Sequence, residues 1–186
     1  MCPIIADGLQ TAIEGFCDDK LDNSSPNRNA PPLIALAVVS IFKNTSSRID
    51  SCTYDLSSNQ VLELLSEHLQ KIGFKVEKGR RKEDRIDVPV LFGYGGRIEK
   101  AFQADAYNAD EGVIVEVVAG RGVLNYQFLK DLFQACMMTD VRYAFLAVRN
   151  KYKNRDDFES VVTFLNTLYA SNRLQLPLEG VLIIGY

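Results

Sequence analysis

The segment FQADAYNADEGVIVEVVAGR, residues 102–121, constrains this chain most, because it predicts a hairpin with one carboxylate on each strand. A tight turn at residues 110–111 places Asp105 directly opposite Glu116. Opposed residues have β-carbons about 5 Å apart, so both carboxylates can bind one cation, and without a cation they repel each other. The segment therefore predicts a divalent metal site.

The alternation of side chains along the two strands predicts which residues share the metal-binding face. In this register Tyr107 faces Ile114, and Val118 lies on the same face as Glu116. The expected apolar face carries three valines of the second strand: Val113, Val115 and Val117. The expected polar face carries Gln103, Asp105 and Glu116, with Val118 as its apolar exception.

Oxygen ligands with no histidine or thiolate nearby favour Mg²⁺ or Mn²⁺ over zinc at such a pair of acids. The alternative interpretation is a hairpin that faces solvent and carries acids without a ligand. The spacing of the residues alone is compatible with both.

Length and charge restrict the class of protein. A chain of 186 residues fits one domain, and a formal net charge of −3 argues against a protein that coats nucleic acid nonspecifically. A local basic face stays open, notably in the segment KGRRKEDR at residues 78–85. The alternative for that segment is a solvated loop between strands.

The cysteines and the apolar segments indicate a soluble, cytoplasmic protein. Four cysteines lie far apart without a CxxC pair, which predicts reduced thiols. The longest apolar run, residues 31–42, is too short to span a bilayer, and no charged-then-apolar leader opens the chain.

Hydrophobic periodicity and turn residues predict a single domain, residues 1–186, with a helical N-terminal region over about residues 1–50. Helices are expected near residues 4–16, 33–43, 57–71, 124–138 and 156–170. Strands are expected near residues 74–77, 86–92, 98–105, 113–118, 143–148 and 180–184. Residues 18–32 are expected to form a loop, and Ser57 with Gln60 predicts a capping box for the third helix.

The order strand, turn, strand with two acids, helix and buried strand resembles the core of the PD-(D/E)XK, or restriction-endonuclease-like, nuclease superfamily. The likeness is best over residues 92–148, and the segments NYQFLKDLFQACMMTD and LPLEGVLIIGY are similar to an uncharacterised bacterial branch. The resemblance implies an α/β fold with a central mixed β-sheet flanked by helices. It also implies a magnesium-dependent nuclease that hydrolyses DNA phosphodiester bonds. Asp105 matches the first acid and Glu116 the second, and the Val117 carbonyl would complete the metal site.

The chain departs from the superfamily pattern at two positions. Ala104 replaces the usual proline, and Val118 stands where lysine is usual. A cation beside the attacking water lowers the pKa of the water and stabilises the charged transition state, which valine cannot do. Lys130 on the next helix, or Arg121, would have to replace it, although Lys130 also fits an ordinary solvated helix face.

Gly120, Arg121 and Gly122 follow the second strand and precede the predicted helix. Backbone N–H groups ahead of a helix N-terminus bind phosphate, and Arg121 could contact it with two hydrogen bonds. The alternative is that these glycines only form a turn.

Two further classes remain open on sequence grounds. The chain could be a degenerate nuclease fold that binds DNA or a protein partner, or a plain structural subunit. A homodimer also stays open. Tyr94, Tyr107 and Tyr126 would contact bases or sugars in a nuclease, or else pack at the rim of the sheet.

Overall fold

The computed structural model describes Thr11–Gly15 and residues 32–79 and 81–186. These form four α-helices and ten strands. The helices are α1 (Leu33–Ile49), α2 (Ser58–Lys71), α3 (Gln127–Met137) and α4 (Asp157–Ser171). The strands are β1 (Thr11–Gly15), β2 (Lys75–Val76), β3 (Ile86–Phe92), β4 (Ile98–Ala104), β5 (Ala106–Asn108), β6 (Val113–Val118), β7 (Tyr143–Val148), β8 (Lys151–Tyr152), β9 (Arg155–Asp156) and β10 (Gly180–Gly185).

A six-stranded mixed sheet in the order β1-β10-β7-β6-β5-β2 forms the centre of the molecule. β6, β7 and β10 run parallel to one another. β1, β5 and β2 pair antiparallel with their neighbours. Two small antiparallel ribbons, β3–β4 and β8–β9, lie outside this sheet. The expected α/β class with a mixed central sheet and flanking helices is confirmed.

Separate apolar clusters cover the two faces of the sheet. α1 and α2 pack on one face, against Val113, Val115 and Val117. α3 and α4 pack on the other face, against Ile114 and Val118. All six residues of β6 are therefore buried. The expectation of one apolar and one polar face was wrong, because a strand that pairs in parallel within such a sheet is covered by helices on both sides.

The capping box at the start of α2 is confirmed. The side chain of Ser57 accepts a hydrogen bond from the Gln60 N–H, and the Gln60 side chain accepts one from the Ser57 N–H. After the helix, Gly73 adopts a φ of +90°, which favours glycine. The chain then turns directly into β2.

The predicted helix over residues 4–16 was wrong where the structure can be compared. Thr11–Gly15 is a strand that pairs antiparallel with β10, at one edge of the central sheet. The rest of that predicted helix, residues 4–10 and 16, lies outside the described residues. The same is true of the predicted loop up to residue 31. α1 begins at Leu33 as expected but continues to Ile49, six residues beyond the predicted end.

Elsewhere the predicted boundaries hold closely, with two differences that concern the candidate site. The strand expected over residues 98–105 ends at Ala104, and the chain bends at Asp105 before it enters the central sheet as β5. α3 begins at Gln127 instead of residue 124. The β8–β9 ribbon was not predicted.

No helix within the described ranges is both long and apolar enough to cross a membrane. Cys52 and Cys136 are free thiols, as expected. The other two cysteines lie outside the described residues.

Candidate active site

The hairpin register that brings Asp105 and Glu116 together is the predicted one. Tyr107 faces Ile114, and Ala106 faces Val115. Beyond this pairing, Asp105 lies beside Glu116: its carboxylate accepts a hydrogen bond from the Val117 N–H, and its backbone N–H bonds to the Glu116 carboxyl group. Asp105 occupies the bend where the chain leaves the β3–β4 ribbon, and Glu116 lies within β6. The junction between the ribbon and the central sheet therefore positions both acids.

The carboxylate of Asp105 is held by the backbone of β6. The Val117 N–H donates a hydrogen bond of 2.7 Å to its Oδ2 atom. Asp105 is partly exposed as a residue, yet enough protein surrounds its carboxyl group that burial raises its pKa to about 6. The Val117 hydrogen bond opposes that rise, and the negative charges of Glu77 and Asp131 add to it.

Glu116 is buried, and its pKa is raised well above the ordinary value for a glutamate. Burial is the largest cause, followed by the charges of Asp105 and Asp131. A backbone hydrogen bond from Asp105 partly offsets the rise. The environment disfavours the ionised form of both neighbouring acids. A positive charge placed between them would therefore be stabilised.

Two further carboxylates, Glu77 and Asp131, approach this pair. Glu77 directly follows β2, and Asp131 lies in the second turn of α3, where its Oδ1 atom accepts a hydrogen bond of 3.0 Å from the Gln127 side chain. Burial raises the pKa of both. Sequence reasoning did not assign either residue to the site, because their approach depends on β2 pairing beside β5 and on α3 packing over β6.

The carboxylates line a cleft of about 510 Å³ between α2, β4 and α3. Its lining includes Lys130, one of the two cations proposed to replace the missing lysine. Lys130 is exposed, and its charge lowers the pKa of the adjacent Asp131. The structure thus brings Asp105, Glu116, Val117 and Lys130 to one cleft. Amide side chains also line it: Asn59, Gln103, Gln127 and Gln134.

Within residues 32–79 and 81–186, no three acidic, histidine or cysteine side chains are grouped so that they could hold a metal ion. Beside the two acids, the backbone of β6 offers a further oxygen at Val117. The N–H and C=O groups of a strand residue point to the same side of the strand, so the Val117 carbonyl leaves β6 on the side of Asp105.

The Gly120-Arg121-Gly122 turn is placed differently from the prediction. Arg121 is exposed but does not line the cleft, and five residues separate it from the start of α3. Backbone bonds close this turn, since the Gly122 N–H donates to the Ala119 carbonyl and the Asn125 N–H donates to the Arg121 carbonyl. These residues therefore lie in a turn ahead of α3 and not at its first residue, and their role in phosphate binding stays a prediction.

Val118, which the resemblance aligns with a lysine, points into the second apolar cluster and is only 4% exposed. It shares the face of Glu116, as predicted, but it packs closely against Gly122. A β-carbon added at Gly122 would lie 2.4 Å from the Val118 Cγ1 atom. The space that a lysine would occupy is thus filled by core.

The three tyrosines differ in their environment. Tyr107 is partly buried against the second apolar cluster, so it packs in the sheet. Tyr94 and Tyr126 are exposed, the first at the tip of the β3–β4 ribbon and the second just before α3.

Comparison of the chain with family models, with curated proteins and with solved structures gives no significant match. The resemblance to PD-(D/E)XK nucleases therefore rests on the residues of this chain alone. It stays a prediction.

Proposed function

We propose that this protein is a magnesium-dependent nuclease that hydrolyses DNA phosphodiester bonds. The observation that carries the proposal is the pair of neighbouring acids Asp105 and Glu116, which line a cleft together with Lys130. Paired acids with raised pKa values in a cleft are typical of functional sites. Without a cation, the environment of such a pair disfavours its ionised form.

The donor atoms fit a hard divalent cation. One oxygen of Asp105 is bound by the Val117 N–H, which leaves the other free, and Glu116 faces the same space. With the Val117 carbonyl these residues offer only oxygen ligands, which suits Mg²⁺ or Mn²⁺. When bound, such an ion supplies positive charge for the phosphate and for the attacking water.

Lys130 would neutralise the negative charge that develops on the phosphate during hydrolysis. It projects from α3, the helix that packs over β6. The Gln103 and Gln134 side chains lie in the same cleft and offer amide donors to phosphate or sugar oxygens. The Gln127 side chain donates a hydrogen bond to Asp131, four residues later on α3, and both side chains line the cleft.

Calorimetry with Mn²⁺ and cleavage of supercoiled DNA with Mg²⁺ test the proposal. Wild type should give a binding isotherm and nick the DNA, while Asp105→Asn and Glu116→Gln should lose both. Glu159→Gln, a change of an exposed acid on α4, is the matched control and should behave as wild type. An isotherm that survives in both site variants would remove the metal assignment.

A degenerate nuclease module is the second candidate function, and the burial of Val118 favours it. A lysine at this position is the usual source of positive charge, and here the position is filled by apolar core. In that case wild type would bind Mn²⁺ and DNA but would leave DNA intact at every metal concentration. The cleavage assay above separates the two functions.

A further inference from the structure

The β3–β4 ribbon with the basic segment before it, described over residues 78–79 and 81–104, forms an arm beside the cleft. Its base is fixed in the second apolar cluster, where Val88 and Ala104 are buried. The Thr139 N–H also donates a 2.8 Å hydrogen bond to the Pro89 carbonyl. Beyond this base, all residues of the segment 91–100 except the half-buried Gly93 are exposed. The arm therefore consists of an anchored base and a projecting tip.

Several large apolar side chains are exposed at the tip of the arm. Leu91, Phe92 and Ile98 are 54%, 47% and 53% exposed, and Tyr94 is fully exposed. Large apolar side chains grouped on one exposed element mark a site of interaction. At the end of the tip, Gly95 and Gly96 adopt φ values of +72° and +75°, which favour glycine in a tight turn.

The arm is basic within an acidic chain. Seven lysines and arginines and four acids lie in residues 78–104, a net charge of +3 in a chain whose total is −3. Arg81 is largely exposed, and its nitrogens lie 3.7 and 3.8 Å from Asp84 and Glu83 oxygens. Exposed ion pairs this long contribute little, so the guanidinium stays accessible to a polyanion.

The arm is continuous with the cleft. Residues 100–104 of β4 line it, and the chain then reaches Asp105. Lys100 is exposed at the boundary between the tip and the cleft. A polyanion that lies in the cleft would therefore extend along the arm.

We propose that this arm grips duplex DNA, with its tip in the major groove and its cations on the flanking phosphates. The major groove admits a two-stranded β-ribbon. Phe92 and Tyr94 contact base edges, and Arg81, Arg97 and Lys100 contact phosphates, which gives affinity and sets the position of the duplex over the cleft. The choice of DNA as the partner rests on the proposed function, whereas the binding role of the arm does not require cleavage.

Fluorescence anisotropy with a short labelled duplex, in EDTA so that no cleavage occurs, tests the arm. The double variants Phe92→Ser/Tyr94→Ser and Arg97→Ala/Lys100→Ala should each weaken binding about tenfold or more, the scale of one good base contact or of two lost phosphate contacts. The cation variant should also reduce the salt dependence by about two counterions. Leu174→Ser and Lys43→Ala, changes at exposed positions away from the arm, are the matched controls.

Each outcome is decisive. Wild type that does not bind duplex at low salt, or arm variants that bind as wild type does, would overturn the proposal. A preference for single strands would overturn the groove assignment.

If sedimentation shows that Phe92→Ser/Tyr94→Ser turns a dimer into a monomer while DNA binding is kept, the tip is an interface between copies. Binding that depends on the arm without any Mg²⁺-dependent cleavage would support the arm and refute the nuclease. The melting temperature of each variant should match wild type, because the changed side chains are exposed.

Discussion

The Val117 N–H donates a 2.7 Å hydrogen bond to the carboxylate of Asp105, across the junction between the ribbon and the central sheet. This bond holds Asp105 beside Glu116, the residue before Val117. The two carboxyl groups are therefore held close enough for each charge to disfavour the other. Their negative charges repel each other in the folded protein, and a bound cation would reduce that repulsion.

The first prediction concerns stability and pH in the absence of metal. The pKa of Asp105 rises from 3.8 to about 6 in the folded protein, so ionisation destabilises the fold. This penalty is absent below the ordinary pKa and complete above about 6. Asp105→Asn, which keeps an acceptor for the Val117 N–H, should be more stable than wild type at pH 8 by up to about 3 kcal/mol. The difference should vanish near pH 4.

Urea unfolding in EDTA at a series of pH values measures this difference. Addition of Mn²⁺ should raise the stability of wild type at pH 8 and leave Asp105→Asn unchanged, because ligand binding stabilises only the state that binds it. An Asp105→Asn protein that is less stable than wild type at every pH would show that the acids are not strained.

The second prediction concerns Lys130 as the source of positive charge in the cleft. If wild type cleaves DNA, Lys130→Ala should reduce the cleavage rate on the order of 100-fold, because a positioned charge at the transition state is lost. DNA affinity should change much less. Lys43→Ala, a change at an exposed lysine of α1, is the control in single-turnover kinetics. An undiminished rate for Lys130→Ala would leave the missing lysine without a replacement from α3.

The third prediction concerns Arg121, which lies outside the cleft on an exposed turn. Arg121→Ala should weaken duplex binding and reduce its salt dependence by about one counterion, the effect of one lost phosphate contact. The single-turnover rate at saturating enzyme should stay within a few-fold of wild type. A large fall in that rate with unchanged affinity would place Arg121 at the reacting phosphate.

Local sequence patterns predicted much of this fold. The bounds of β3, β6 and β7 match the structure, because each is a short apolar run between turn residues. The pairing of Tyr107 with Ile114, which brings Asp105 close to Glu116, followed from one tight turn. Such features depend on residues near one another in the chain, and they need no knowledge of the remaining packing.

Features that depend on distant residues were missed. The prediction assumed one continuous strand, along which side chains alternate between the two faces of a sheet. That alternation breaks at Asp105, where the chain changes sheets: Ala104 packs in the second apolar cluster and Ala106 in the first. Glu77 and Asp131 join the site only because β2 pairs with β5 and α3 packs on β6. Nothing in the residues near Asp105 encodes those neighbours.

The last prediction concerns Val118, which the resemblance aligns with a lysine and which is buried in the second apolar cluster. Val118→Lys would place an ammonium group among apolar side chains and against Gly122, where there is no free space. We expect a loss of stability of about 3 kcal/mol or more, measured by urea unfolding, and no gain of cleavage. Val118→Met is the matched control, since it adds length without charge and separates overpacking from the burial of a cation. A Val118→Lys protein that keeps wild-type stability and gains magnesium-dependent cleavage would show that position 118 opens to the cleft, and that the wild-type protein is a degenerate nuclease that lacks only this charge.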